Sequence, residues 1–261
     1  MKRSILVGLG LAIASSAVAQ YGTLRDIAFV GSAAASPVSP VYVPEFVNYT
    51  NAYAGSSVAT LSMSLSNWAG NFIAIGILPR ESGLQTGFTV ADTGGNTYTR
   101  WQINTNGSDR RYSFWYATNT ASVGGNSNYI TVTASDARSS WNVNAIQFTN
   151  VALYSALDQS NSQVGQQSGA GDDSGSGSIT PGVAKCLILG YHDFDGAGSY
   201  SVGTNGPANC PDWSYIYEGS SPYQKYMVQT NSSAVAIQSF ATNIAGTPYF
   251  IGAVGSFKPK Q

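Results

Sequence analysis

Few side chains in this sequence are equipped for chemistry, and most of those fall in short polar turns. Val90 to Trp101 reads VADTGGNTYTRW, an aspartate, two glycines and an asparagine between β-forming residues. Three chemistries use such a pattern: a phosphate cradle, a calcium loop, or a turn closed by its own side chains. A phosphate cradle needs a glycine loop that opens a helix, so that the first amides of the helix point at the anion. The residues after Gly95, NTYTRWQI, alternate like a strand instead. A calcium loop needs about six to eight oxygens, and Asp92 and Asn96 supply two side-chain ligands. The turn fits best: Gly94, Gly95 and Asn96 tolerate positive φ, and Asp92 can cap the bend.

YHDFDG places His192 beside Asp193 and Asp195, the look of a general base among carboxylates. On a strand, however, His192 and Asp193 point to opposite faces. His192 is the only histidine, and no G-x-S-x-G elbow precedes a helix, so a Ser-His-Asp hydrolase is not indicated. Asp172 and Asp173 are paired as in some glycosidases, yet they sit in the Gly/Ser run GDDSGSGS and read as a solvated loop. Two cysteines and one histidine do not make a zinc site. The sequence therefore points to a non-enzyme with no catalytic residues, no metal and no cofactor.

The aromatics carry more information. In RRYSFWYA, Tyr112, Phe114 and Tyr116 share one face of a strand and Trp115 takes the other. In DWSYIYEG, Trp213, Tyr215 and Tyr217 share a face opposed by Ile216. Such stripes are either sandwich core or a platform for sugar rings, whose faces stack on aromatic side chains while Asn, Gln and Ser meet the hydroxyls. Trp213, Tyr215 and Tyr217, with Tyr223 across the next turn, are the candidate ligand-binding residues.

The elements that must carry these residues are strands. Residues 1–19 read as a signal peptide: Lys2 and Arg3, an apolar Ile5 to Ile13, and Ala17-Val18-Ala19 before Gln20. The apolar run falls short of the roughly 20 residues that a bilayer span needs. The chain is expected to be secreted or at the cell surface, with no membrane span. In that setting Cys186 and Cys210 pair as a disulfide. The whole chain has 12 Lys+Arg and 13 Asp+Glu; without Lys2 and Arg3 the balance is 10 against 13, net charge near −3. No basic patch is available for nucleic acid. Past the signal, strand patterns recur near 27–33, 57–66, 71–79, 86–91, 97–104, 110–118, 128–134 and 141–149. A second series follows near 185–192, 199–203, 213–218, 223–230, 234–241 and 249–257. An offset of 112 aligns Phe88 with Tyr200, Val90 with Val202, Trp101 with Trp213 and Thr118-Asn119 with Thr230-Asn231. Residues 20–261 thus read as one domain with pseudo-repeat halves at about 50–150 and 175–261, joined by the Gly/Ser-rich stretch 166–178.

VADTGGNTYTRW and the following RRYSFWYATN, ITVT and AIQFTNV strands resemble a β-sandwich domain common in secreted and surface proteins of bacteria. In that family the last segment reads AxExSGV, and Gln147 stands here for its acidic residue. The resemblance implies an extracellular setting and an all-β, jelly-roll-like antiparallel sandwich, and it brings no catalytic residue. The expected function is a non-catalytic extracellular or cell-surface module that binds glycan or the cell envelope, or mediates adhesion. A structural subunit of an extracellular or virion-associated assembly is the alternative, and a glycan-degrading enzyme the third. The sequence leaves the ligand and the oligomeric state open.

Overall fold

The computed structural model describes residues 41–54, 58–66, 69–79, 87–105, 111–123, 128–138, 141–166, 169, 173–194, 200–202, 214–217, 223–228, 237, 240–243 and 249–261. These residues contain sixteen strands and no helix. The first eight are β1 (Glu45–Ala54), β2 (Val58–Leu65), β3 (Phe72–Pro79), β4 (Phe88–Asp92), β5 (Thr99–Thr105), β6 (Arg111–Ala117), β7 (Asn128–Arg138) and β8 (Trp141–Thr149). The second eight are β9 (Leu157–Gln166), β10 (Asp173–Gly175), β11 (Leu187–Phe194), β12 (Tyr200–Val202), β13 (Ser214–Tyr217), β14 (Tyr223–Val228), β15 (Phe240–Asn243) and β16 (Tyr249–Phe257).

Among the described residues all strand pairings are antiparallel and build four sheets that pack against each other as in a β-sandwich. The first eight strands form an inner sheet, β1-β8-β3-β6-β5, and an outer sheet, β2-β7-β4. The second eight form β9-β16-β11-β14-β13 and β10-β15-β12. The second order is the first with every strand number raised by eight. Strand starts agree: Glu45 and Leu157, Phe88 and Tyr200, Arg111 and Tyr223, and Asn128 and Phe240 each lie 112 residues apart.

The two inner sheets meet face to face in the middle. This explains why their central strands are apolar on both faces, as a sheet covered on both sides requires. On β3, Phe72, Ala74 and Leu78 point into the layer between the inner sheets, while Ile73, Ile75 and Ile77 point to the outer sheet of the first eight strands. That outer sheet answers with Met63, Leu65, Ile130 and Val132. On β11, Leu187, Leu189 and Tyr191 face the central layer, and Ile188 faces outward with Cys186 and Val254 to meet Ile179 and Ile237. The central layer is aromatic: Trp101, Phe114, Tyr191 and Phe257 lie with ring centroids 4.8 to 6.3 Å apart where they pair. Full burial of each such side chain contributes about 1.5–3 kcal/mol. Gly255 on β16 leaves the space that Trp101 occupies, since an added Cβ would stand 3.1 Å from Trp101 Cζ3.

One sequence expectation needs correction. The Gly/Ser-rich stretch 166–178 does not join the two sets of strands; it lies within the second set and contains β10, paired with β15. The connection is the short segment between Thr149 and Leu157, held to the C-terminal residues. The strand expected near 27–33 and the 1–19 signal lie outside the described residues.

Candidate functional site

The Asp92 turn is closed by its own side chains. One carboxylate oxygen accepts the Asn96 main-chain N–H at 2.9 Å, and the other accepts Asn96 Nδ2, Tyr98 OH and Asn128 Nδ2, each at 2.7 Å. Gly95, at φ 69°, donates its N–H to the Asp92 carbonyl at 3.2 Å. Asn128 in turn accepts from Thr93 Oγ1 at 3.0 Å and from the Gly94 N–H at 3.3 Å. Partial burial works against the Asp92 charge, but the bonds from Asn128, Asn96 and Tyr98 outweigh it and hold the carboxyl below its ordinary value of 3.8. Burial and the same carboxylate push the Tyr98 hydroxyl far above the phenol range and keep it a donor. Four donors occupy the carboxylate, so it acts as the keystone of a turn.

His192 and Asp193 separate as strand alternation demands. Asp193 points into the central layer, 3 % exposed, where Tyr112 OH donates to its Oδ2 at 2.9 Å. His192, also buried, lies on the opposite face beside Gly252. Asp172 and Asp195 lie outside the described residues, and Asp173 opens β10. Among the described residues no group of three His, Cys, Asp or Glu side chains gathers as a metal site, and no helix is long and apolar enough to cross a membrane.

The first aromatic stripe is core: Tyr112 and Phe114 are fully buried. Of the candidate ligand residues, Trp213 lies outside the described residues. Tyr215 and Tyr217 lie on β13 opposite Lys225 and Gln224, with a register shift between them. Tyr223 opens β14, opposite His192. Cys186 is buried and carries a free thiol, which donates to the Val183 carbonyl at 3.2 Å. Burial, with a smaller contribution from Asp158, pushes that thiol up to about 12. Its expected partner, Cys210, lies outside the described residues.

A concave site does exist, at the end of the strands where the connecting segment meets the C-terminal residues. Ala152 N–H donates to the Lys258 carbonyl at 2.9 Å, Lys258 N–H to Ala156 at 2.8 Å, and Lys260 N–H to Asn150 at 2.7 Å. Val151 and Pro259 form an antiparallel bridge in the middle. Residues 152–155, Val183 and residues 258–261 enclose a groove of about 520 Å³. Tyr154 stands at it with 76 % of its surface exposed, the most exposed large apolar side chain described. Three residues around it hold left-handed backbone without being glycine: Asn150 at φ 61°, Ser155 at 47° and Lys185 at 59°. Such conformations are costly and concentrate where a loop is held in shape for a task. The sequence hid this groove because its walls come from segments about a hundred residues apart; the only local signal was Tyr154 in NVALYSALD.

A second exposed feature lies on β1, which among the described residues pairs only with β8. Tyr49, Asn51 and Tyr53 alternate along it in exposed positions, with Tyr53 59 % exposed.

The chain matches no family model, no curated protein and no solved structure.

Proposed function

We propose that the protein is a non-catalytic extracellular or cell-surface module that binds glycan through the Tyr154 groove. The carrying observation is the exposed Tyr154 ring lining a preformed concavity whose two main segments are joined by main-chain hydrogen bonds. An aromatic ring held in the open beside a cleft suits the apolar face of a sugar ring. Each set of eight strands is, in this reading, a jelly-roll-like unit, and the two are related copies whose shared strand order reflects duplication. Glycan array screening with the purified chain tests the reading, with Tyr154→Ala as control. Tyr154 is too exposed to support the fold, so the substitution is expected to abolish binding and leave the thermal midpoint within about 2 °C. Binding that survives Tyr154→Ala rules the groove out.

One observation favours a structural subunit instead. β1 is ten residues long, pairs on one side with β8 among the described residues, and carries a single charge, Glu45. Edge strands of this kind pair with other chains unless protected. Mass measurement in solution as concentration rises distinguishes this role: a monomer at all concentrations removes it.

A further inference from the structure

Exposed apolar surface is concentrated on one stretch of this chain. Of eleven exposed large apolar side chains among the described residues, seven fall between Val41 and Tyr53. Register gives part of that stretch a shape. Phe46, Tyr49, Asn51 and Tyr53 pair with Phe148, Ile146, Asn144 and Asn142, alternate residues of β8. The four therefore share one face of β1, and the register shift between Phe46 and Asn48 absorbs the odd step from Phe46 to Tyr49. Phe46 shows which face this is, because its ring meets the inward-facing Phe148 edge-on at 5.9 Å. Phe46, Tyr49 and Tyr53, at 38, 42 and 59 % exposed, thus stand in a row, with the exposed Asn51 amide between the two tyrosines. The row follows β8 from Phe148 to Asn142, a length of about 20 Å at about 3.4 Å per residue.

A patch of this kind marks a binding surface, and its chemistry narrows the choice of occupant. Beyond Glu45, β1 carries no charged residue, and β8 carries none. An ionic ligand finds no counterpart on these two strands. The rings are interleaved with an amide, Asn51, and the β8 residues beside it are Asn144 and Asn142. A sugar unit has the same mixture, an apolar face edged by hydroxyls. A strand is extended, so a chain that lies along it must be extended too, not coiled.

We infer that this face of β1 binds an uncharged, extended polysaccharide, with sugar faces on Phe46, Tyr49 and Tyr53 and hydroxyls on Asn51. No β1 residue lines the Tyr154 groove, so the inference stands apart from the reading of that groove. Each ring contact is weak alone, and a short glycan spans too little of the row to engage all three. A polymer engages them together, and the linked contacts reinforce one another. The row is therefore silent toward short arrayed glycans and binds polymers.

Depletion of the purified chain from solution by insoluble cellulose and by insoluble chitin tests this. Amylose, which coils, and polygalacturonate, which is charged, are the comparisons. Cellulose, chitin or both are expected to deplete the chain, and which of them does so identifies the sugar. Amylose and polygalacturonate are expected to bind at least about ten-fold more weakly. Tyr49→Ala with Tyr53→Ala is expected to weaken polymer binding at least about ten-fold. Tyr49→Phe with Tyr53→Phe is expected to keep it, and Tyr154→Ala to leave it unchanged. Matching thermal midpoints show that the variants are folded. Where the double Ala variant melts early, Tyr53→Ala alone takes its place, with an expected loss of about three-fold. No depletion by either polymer overturns the inference, whatever the groove binds. Depletion that survives loss of the tyrosines, or that amylose or polygalacturonate matches, also overturns it. Self-association of the chain that the same variants abolish overturns it too, because the row then meets a second copy. Loss of polymer binding in Tyr154→Ala moves the site to the groove, overturning this inference while supporting the other.

Discussion

Replacing Asp92 by alanine tests whether one carboxylate holds the turn that connects the outer and inner sheets of the first eight strands. The substitution removes four hydrogen bonds of 2.7 to 2.9 Å. A bond to a charged group contributes about 1.5–3 kcal/mol net. The plain sum overstates the effect, because the turn is half exposed and released donors regain water. Asn128 is the exception: it is fully buried and its amide loses an acceptor. One full charged bond plus partial losses gives about 3 kcal/mol for Asp92→Ala, or a fall of about 6–12 °C in midpoint for a unit of this size. Asp92→Asn keeps the shape but turns an NH2 toward at least one donor, and is expected to cost about 1–2 kcal/mol. The two also differ in pH dependence. The folded carboxyl lies below its ordinary value, so the unfolded chain takes up the proton first on acidification. The stabilisation is complete above about pH 4 and is lost as pH falls through the lowered folded value. Asp92→Asn lacks that portion of the acid loss. Urea unfolding followed by tryptophan fluorescence, at pH 7 and through the acid range, reads both effects. An Asp92→Ala protein within about 0.5 kcal/mol of the parent, or an unaltered acid slope in Asp92→Asn, refutes the keystone role.

Tyr112→Phe removes a buried donor from Asp193 and is expected to lower stability by about 2–3 kcal/mol without altering the fold; urea unfolding measures it, and a neutral result would show that Asp193 does not depend on this contact. Cys186, buried and with its thiol pushed up to about 12, is expected to ignore a disulfide exchange reagent at pH 8 in the folded protein and to react once unfolded. Unfolded, unreduced protein that still shows no thiol would establish the Cys186–Cys210 bridge instead.

The strands buried on both faces were legible, because β3 is a continuous apolar run and β8, β11 and β16 carry apolar residues at both odd and even positions. β1 and β9 were not anticipated. At the sheet edges their residues are largely exposed or half-buried, so EFVNYTNAYA and LDQSNSQVGQ show no apolar stripe. Composition misled at 166–178, since a three-residue strand in a Gly/Ser run reads like a linker. The Asp92 turn was legible because its chemistry is local, closing mainly through Asn96 and Tyr98. The Tyr154 groove depends on contacts between distant segments, and no spacing in the sequence encodes those.

The notch at Gly255 decides which surfaces prefer each other. Two sets of strands with one topology, meeting through equivalent faces, risk trading partners between molecules, each set pairing with its own kind or with a neighbour's. Gly255 lies two residues before the inward-facing Phe257, and Ile146 holds the equivalent place before Phe148. The glycine admits Trp101; the isoleucine fills that space with its own side chain. The first set therefore fits the second better than it fits another copy of itself. With the connection limited to residues 150–156, the partner that fits is also the one tethered within reach.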